Sequence, residues 1–288
     1  MAVGERVLEA RMAANWQRPV VFLLKIIGVV LFLVLVPVAF KMEWSDFRPL
    51  FNPLTIRFLF FGLVDTVAVS LVAIIASLPL ATGLALGRLS HISVIRWPCI
   101  VFVEVIRALP LLLLIFYVNL RFPGLDVFAG LRLGASGDYL AIEMERLLSR
   151  GALALTIALT LYTAAVNAEL LRSGILSLER GQFEAARSLG LSYWQMMRLV
   201  ILPQAFRRTL APLIAQFTIL VKDTSLGSII GFLELQRRAV IHYQNNFNPM
   251  EALYVVALIY FVVNFMLGLV SKLIERKGPS VEVRPTEL

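Results

Sequence analysis

The chain has 288 residues, of which 59% are hydrophobic and 16% charged, where an ordinary soluble domain is about 25% charged. A soluble globule of this size cannot hide so much apolar side chain, so the chain reads as a membrane protein with several spans. The net charge of +8 suits a basic face toward the cytoplasm and anionic lipid and gives no reason to invoke nucleic acid.

The familiar catalytic signatures are missing. One cysteine, Cys99, excludes an intrachain disulfide framework and a multi-Cys metal site. His91 and His242 do not form an HExxH pair, and no lysine is followed by Ser or Thr, so there is no Walker A loop. GxSxG is absent too. No cofactor or enzymatic activity is expected. If ATP drives this protein, another subunit binds it.

Six apolar segments are long enough to span a bilayer: 20–40, 58–86, 100–120, 152–175, 210–230 and 252–273. The first is preceded by too many residues, and is too long, for a cleaved signal peptide, so it reads as an anchor. The positive-inside rule then puts both termini in the cytoplasm. Arg180, Arg187, Arg198, Arg207 and Arg208 lie on that side, while Arg237 and Arg238 fall in an outer loop. Residues 122–150 form the largest outer loop. Gly83-x-x-x-Gly87 and Gly227-x-x-x-Gly231 would let helices or subunits approach closely, and Pro79, Pro110 and Pro212 are kink candidates.

The inner stretch 176–209 is too polar to span, yet it is patterned as two short helices. The first is expected over 182–189, with Glu184 in its first turn near the positive end of the helix, and Gly190 closing it in the left-handed conformation. Ser192 and Gln195 form an S-x-x-Q capping box that opens the second helix, and Pro203 is expected to bend the chain into the fifth span. Ala185 and Ala186 beside Phe183 give a thin helix with one large knob, a shape suited to a cleft on a partner. A helix lying on the membrane surface is the other reading of the same pattern.

Glu184-Ala185-Ala186, then Gly190, then Val200-Ile201-Leu202-Pro203 resembles the EAA loop of ABC importer permeases. Arg180-Gly181-Gln182-Phe183, Leu202-Pro203-Gln204-Ala205 and Lys222-Asp223-Thr224-Ser225-Leu226 resemble the polar amino-acid permease family of type I importers. The resemblance implies an all-α polytopic fold: a five-helix type I permease core plus one N-terminal transmembrane helix. It divides the chain into 1–57 (N-terminus, extra helix, outer loop), 58–276 (permease domain, coupling helices at 178–200) and 277–288 (tail). It implies a pore-forming subunit in the cell (inner) membrane that imports polar or charged amino acids. The implied partners are a dimer of ATP-binding subunits, a second permease subunit (another copy or a paralogue), an extracytoplasmic amino-acid-binding protein and membrane lipid. An ion-coupled secondary transporter is the alternative; it would usually show paired repeats with broken helices. ATPase coupling would fall to Gln182, Phe183, Glu184, Ala185, Ala186, Gly190 and Pro203.

Charges inside the spans are the remaining signal. Asp65, Glu104, Arg107, Glu169, Lys222 and Asp223 lie in or near apolar segments and should face the bundle interior. Glu104 and Arg107, three residues apart, are expected to neutralise each other, while Lys222 is expected to need Glu104 or Asp65. Such charges either lock helices together or line a polar pocket for a zwitterionic amino acid. On the second reading Glu104, Arg107, Glu169, Lys222, Asp223, Thr224 and Ser225 line the substrate pathway. Lys25 should snorkel to the interface.

Overall fold

The computed structural model describes residues 28, 31, 33, 35–121 and 149–277, with side chains described as far as Val270. Most of the expected first span, the outer-loop residues 122–148 and the tail 278–288 lie outside the described residues. Everything regular in the described residues is helical.

A short turn at Trp44–Phe47 leads into α1, Pro53–Arg88. Asn52 caps it by accepting from the Leu54 N–H, and Pro53 takes the first position, where no N–H is needed. Its 36 residues exceed the roughly 20 needed to cross a bilayer. Two helices follow, α2 (Ser93–Ala108) and α3 (Leu111–Arg121). Next come α4 (Arg150–Leu176), α5 (Arg180–Ser188) and the single turn α6 (Tyr193–Met196). A π-helical turn, Met197–Ile201, joins α6 to α7 (Leu202–Asp223), which tightens into a 3-10 segment at Thr224–Ile230. Two more helices, α8 (Leu235–Asn246) and α9 (Pro249–Lys277), complete the described chain.

Among the described residues, four helical stretches are long and apolar enough to cross a membrane: α1, α4, Tyr193–Ile230 and Pro249–Val270. The segment 100–120, expected as one span with Pro110 as a kink candidate, is divided at that proline. The chain bends by 107° between α2 and α3. Pro110 has no N–H to continue a helix and its ring disfavours helical geometry at Leu109, which is extended (φ −78°, ψ 134°). The helices continue through Pro79 and Pro212. Nor does Pro203 break the chain: the π turn just before it absorbs the irregularity, and the helix runs on into α7.

Small residues bring the helices together, as expected where water supplies no drive to associate them. α4 buries Ala152, Ala154, Ala158, Ala164, Ala165 and Ala168 in the main core with Val69, Ala73, Ala81 and Ala85 of α1. Asn167 of α4 donates to Ser77 Oγ of α1 at 3.3 Å, a polar link between two fully buried side chains. A second cluster, with Phe47, Leu59, Leu235, Ala239, Ala252 and Val256, joins α1, α8 and α9 at one end of the bundle. A third, with Ile175, Leu178, Ala186, Met196, Ile201 and Ala205, seats α5 and α6 at the opposite end. We call these the far end and the loop end.

Candidate functional site

At the loop end, α5 is held by its sequence neighbours. Leu189 ends the helix and Gly190 takes φ +74°, where a Cβ is unfavourable. The Leu191 N–H then returns to the Ala186 carbonyl at 3.3 Å and the Gly190 N–H to Arg187 at 2.9 Å, which is a Schellman-type close. Ser192 and Gln195 form both halves of the expected capping box. Gln204 Nε2 donates to Gln182 Oε1 at 3.1 Å, and Arg208 donates to the Ser177 carbonyl at 2.5 Å, tying the start of α7 to both sides of α5.

Two expectations for this loop change. α5 begins at Arg180, so Glu184 lies beyond the first turn and the macrodipole argument for it lapses. Phe183 and Ala186, three residues apart and therefore on one face, turn inward: Ala186 is 2% exposed and Phe183 packs on the same cluster. The knob and one of the two alanines thus fill the chain's own core. Gln182, Glu184, Ala185, Gly190 and Pro203 remain exposed.

The intramembrane charges also pair differently from the expectation. Arg88, in the last turn of α1, donates to Glu104 of α2 at 3.0 Å and to Glu169 of α4 at 2.5 Å. Arg172 meets the other oxygen of Glu169 at 2.5 Å. Three helices are thereby joined by a charge network near the loop end, its side chains ranging from 9% exposed at Arg88 to 57% at Glu104. Among the described residues Glu104 makes no ion pair with Arg107, which is exposed in the last turn before the bend. Gly87 explains the preference: a Cβ there would collide with Cys99 Sγ, so its absence lets α1 and α2 approach and delivers Arg88 to Glu104.

Lys222 meets neither proposed partner, since Glu104 belongs to Arg88 and Asp65 to Arg238. It is exposed and lines a cavity of about 370 Å³ with Ser225, Gln236, Leu253, Val256, Ala257 and Tyr260. Asp223 is half-buried beside it, and Thr224 is fully buried with its hydroxyl bonded to the Val221 carbonyl at 2.7 Å. Four of the seven predicted pathway residues therefore come together in two pairs, and Arg107, Asp223 and Thr224 join neither. Glu104 and Glu169 meet through Arg88; Lys222 and Ser225 share the cavity between α7, α8 and α9.

The residues that sequence reasoning missed are at the far end. Arg238, assigned to an outer loop, is 1% exposed. Its guanidinium donates to Asp65 at 2.6 Å, to the Phe58 carbonyl at 3.0 Å and to the Leu233 carbonyl at 2.8 Å, and stands over the Phe58 ring. Glu234 caps α8 by accepting from the Gln236 and Arg237 N–H groups at 2.8 and 2.7 Å, and Tyr260 donates to it at 3.1 Å. Burial pushes the Glu234 carboxyl up to about 7, against the downward pull of those N–H bonds. A Cβ on Gly62 would lie 2.7 Å from Arg238 Cδ and 2.9 Å from Leu235 Cα, so only glycine admits this packing. The available signal was Asp65, an acid in an apolar span that demands a cation; nothing local says which.

Residues 60–277 match the family described as binding-protein-dependent transport system inner membrane component. The glutamate transport system permease protein GluD of Corynebacterium glutamicum is 35% identical over 238 residues, spanning 82% of this chain and 81% of that protein. The glutamate/aspartate import permease protein GltK of Escherichia coli O157:H7 is 30% identical over 238 residues, 83% of this chain and 99% of its own. Among solved structures, an amino acid ABC transporter with histidines superposes with a TM-score of 0.62 at 30% identity, over 76% of this chain and 94% of that one. The MetNI methionine ABC transporter, at 19% identity and a TM-score of 0.56, shares the fold over 79% of this chain and 98% of its own.

Proposed function

The chain belongs to the family of binding-protein-dependent transport system inner membrane components, and from that premise we propose that it imports polar or charged amino acids. It is a multi-pass membrane permease of an ABC importer, which implies an ATPase and a substrate-binding protein as partners. On our reading the ATPase site lies wholly on the separate subunits, both termini face the cytoplasm of the cell membrane, and two permease subunits, copies or paralogues, form the pore. Residues 58–276 serve as the permease domain and 1–57 as an added anchor.

One observation supports this reading most: the loop between α4 and α7 is a capped pair of short helices bonded to α7, a build suited to a lever. α5 is bonded to the start of α7 through Gln182–Gln204 and shares with it a buried cluster that holds Ala186, Met196, Ile201 and Ala205, so a push on residues 182–190 passes into a spanning helix. A secondary transporter has no use for such a device. Along the pathway, Glu104, Glu169 and Arg107 serve the loop-end half, and Lys222, Asp223, Thr224 and Ser225 the cavity half. Lys222 offers a cation to a substrate carboxylate there.

Reconstitution tests the proposal. The chain, its ATP-binding subunit and its binding protein in proteoliposomes should take up labelled glutamate or glutamine only with ATP inside the ATPase compartment. Proton and sodium ionophores should leave that uptake unchanged; uptake abolished by an ionophore in the absence of ATP would establish ion coupling instead. Lys222→Ala should abolish uptake with assembly intact, and normal uptake by that variant would remove the cavity from the pathway.

A further inference from the structure

Between the end of α1, the start of α2 and the turn α6 lies a cavity of about 570 Å³, within the range of roughly 300–1,000 Å³ usual for ligand sites. Leu86, Ile92, Ile95, Tyr193 and Trp194 line it. So does Gly83, where a Cβ would meet nothing within 4 Å. The two glycines of the Gly83-x-x-x-Gly87 pattern therefore divide: Gly87 admits Cys99 of α2, and Gly83 leaves open space.

The lining suits a hydrocarbon chain. Its aliphatic hydroxyls are already engaged: Thr82 donates to the Leu78 carbonyl at 2.8 Å, and Ser90 Oγ accepts from the Ile92 N–H at 3.2 Å. The cavity is reached from outside, since Trp194 is 69% and Ile92 59% exposed, and α2 beside it also shows Val94 and Trp97 outward. Its depth is that of a membrane surface. Counted from Phe58, residues 82–90 lie past the roughly 20 with which α1 crosses the hydrocarbon core. Tyr193 and Trp194, edge-on at 5.8 Å, are of the two residue types enriched at headgroup level.

The charge around it has one sign. Residues 82–103 and 185–200, which supply and flank the lining, include Arg88, His91, Arg96, Arg187 and Arg198 and no Asp or Glu. Arg88 is engaged by Glu104 and Glu169. His91 is exposed and lines the cavity, and Arg96 stands one turn from Ile92, its N–H bonded to the Ile92 carbonyl at 2.9 Å. Cations at this depth attract anionic lipid.

We propose that this cavity holds an acyl chain of an anionic phospholipid from the leaflet at the loop end, with its phosphate at His91 and Arg96. The lipid then bridges the α1–α2 turn and α6, which are distant in sequence. The site needs only that the loop end meet the membrane surface, so it stands apart from the importer reading.

The test uses the full chain carrying Trp16→Phe, Trp44→Phe and Trp97→Phe, in phosphatidylcholine nanodiscs, so that Trp194 alone emits. Brominated phosphatidylglycerol and brominated phosphatidylcholine are each titrated in. Half of the quenching should be reached at about a tenfold lower mole fraction of the brominated phosphatidylglycerol, the scale of one or two cations at a headgroup. His91→Ala with Arg96→Ala should bring the two lipids to the same mole fraction. Gly83→Phe, whose Cβ has open space, should fill the cavity and raise that fraction for both lipids, with the thermal midpoint unchanged. Equal fractions with His91, Arg96 and Gly83 intact, or a Gly83→Phe chain quenched as before, overturn the proposal. So does a Trp194 that neither lipid quenches, since a protein surface would then cover the cavity.

Discussion

The two ends of the bundle use the same chemistry, arginine against carboxylate, in opposite surroundings. At the far end Arg238 and Asp65 are 1% and 2% exposed and the guanidinium also binds two carbonyls. At the loop end Arg88 is 9% exposed, but its two carboxylates, Glu104 and Glu169, are 57% and 27% exposed, and the charges alternate across three helices. A buried pair deprived of one partner leaves an uncompensated charge, whereas a half-exposed one exchanges its partner for water. The far end is therefore a clamp that joins α1 to α8, and the loop end is a network whose carboxylates keep access to water.

The difference in surroundings sets the size of what each change should do. Asp65→Ala strands Arg238 and should cost about 3–5 kcal/mol, read as loss of monodisperse protein and a lower thermal midpoint in detergent. Adding Arg238→Met should restore most of it; if the single variant is as stable as wild type, the clamp is no clamp. Gly62→Ala forces a Cβ against Arg238 and Leu235 and should cost about 1–3 kcal/mol by overpacking, measured the same way. A cost as large as that of Asp65→Ala would mean that packing, not the ion pair, dominates this end.

The loop end should answer in transport before it answers in stability. Gly190→Val places a β-branched residue at φ +74° and should cost roughly 1–2 kcal/mol locally. Uptake should fall strongly and the ATPase should co-purify poorly, while the chain still reaches the membrane at a normal level. Glu104→Gln is the smallest perturbation: with the side chain more than half exposed it should cost under about 1 kcal/mol. Uptake in proteoliposomes should nonetheless drop, because Arg88 loses one of its two carboxylates. A variant that transports normally would reduce the network to a helix lock.

Much of this was legible from the residues alone, wherever the cause lies within a few positions. The capping box at Ser192 and Gln195, the left-handed Gly190 and the apolar runs behind the spans are local, because caps and hydropathy depend on near neighbours. Charge partners are not local. Glu104 has Arg107 one turn away on its own helix, yet it bonds to Arg88 because a glycine beside Cys99 draws α1 in.

Composition and pattern by themselves determined that the chain is helical and spans a membrane, and that a short helix between the fourth and fifth apolar segments closes at Gly190. Hydrophobic burial in lipid and hydrogen bonding along the chain leave an apolar run of that length few other choices. The tertiary structure alone decided that of the three candidate prolines only Pro110 breaks its segment, through 107°, that Phe183 and Ala186 look inward, and that Asp65 finds an arginine 173 residues away. Those outcomes depend on the rotation and depth of each helix against its neighbours, which packing of small residues sets and no single segment encodes.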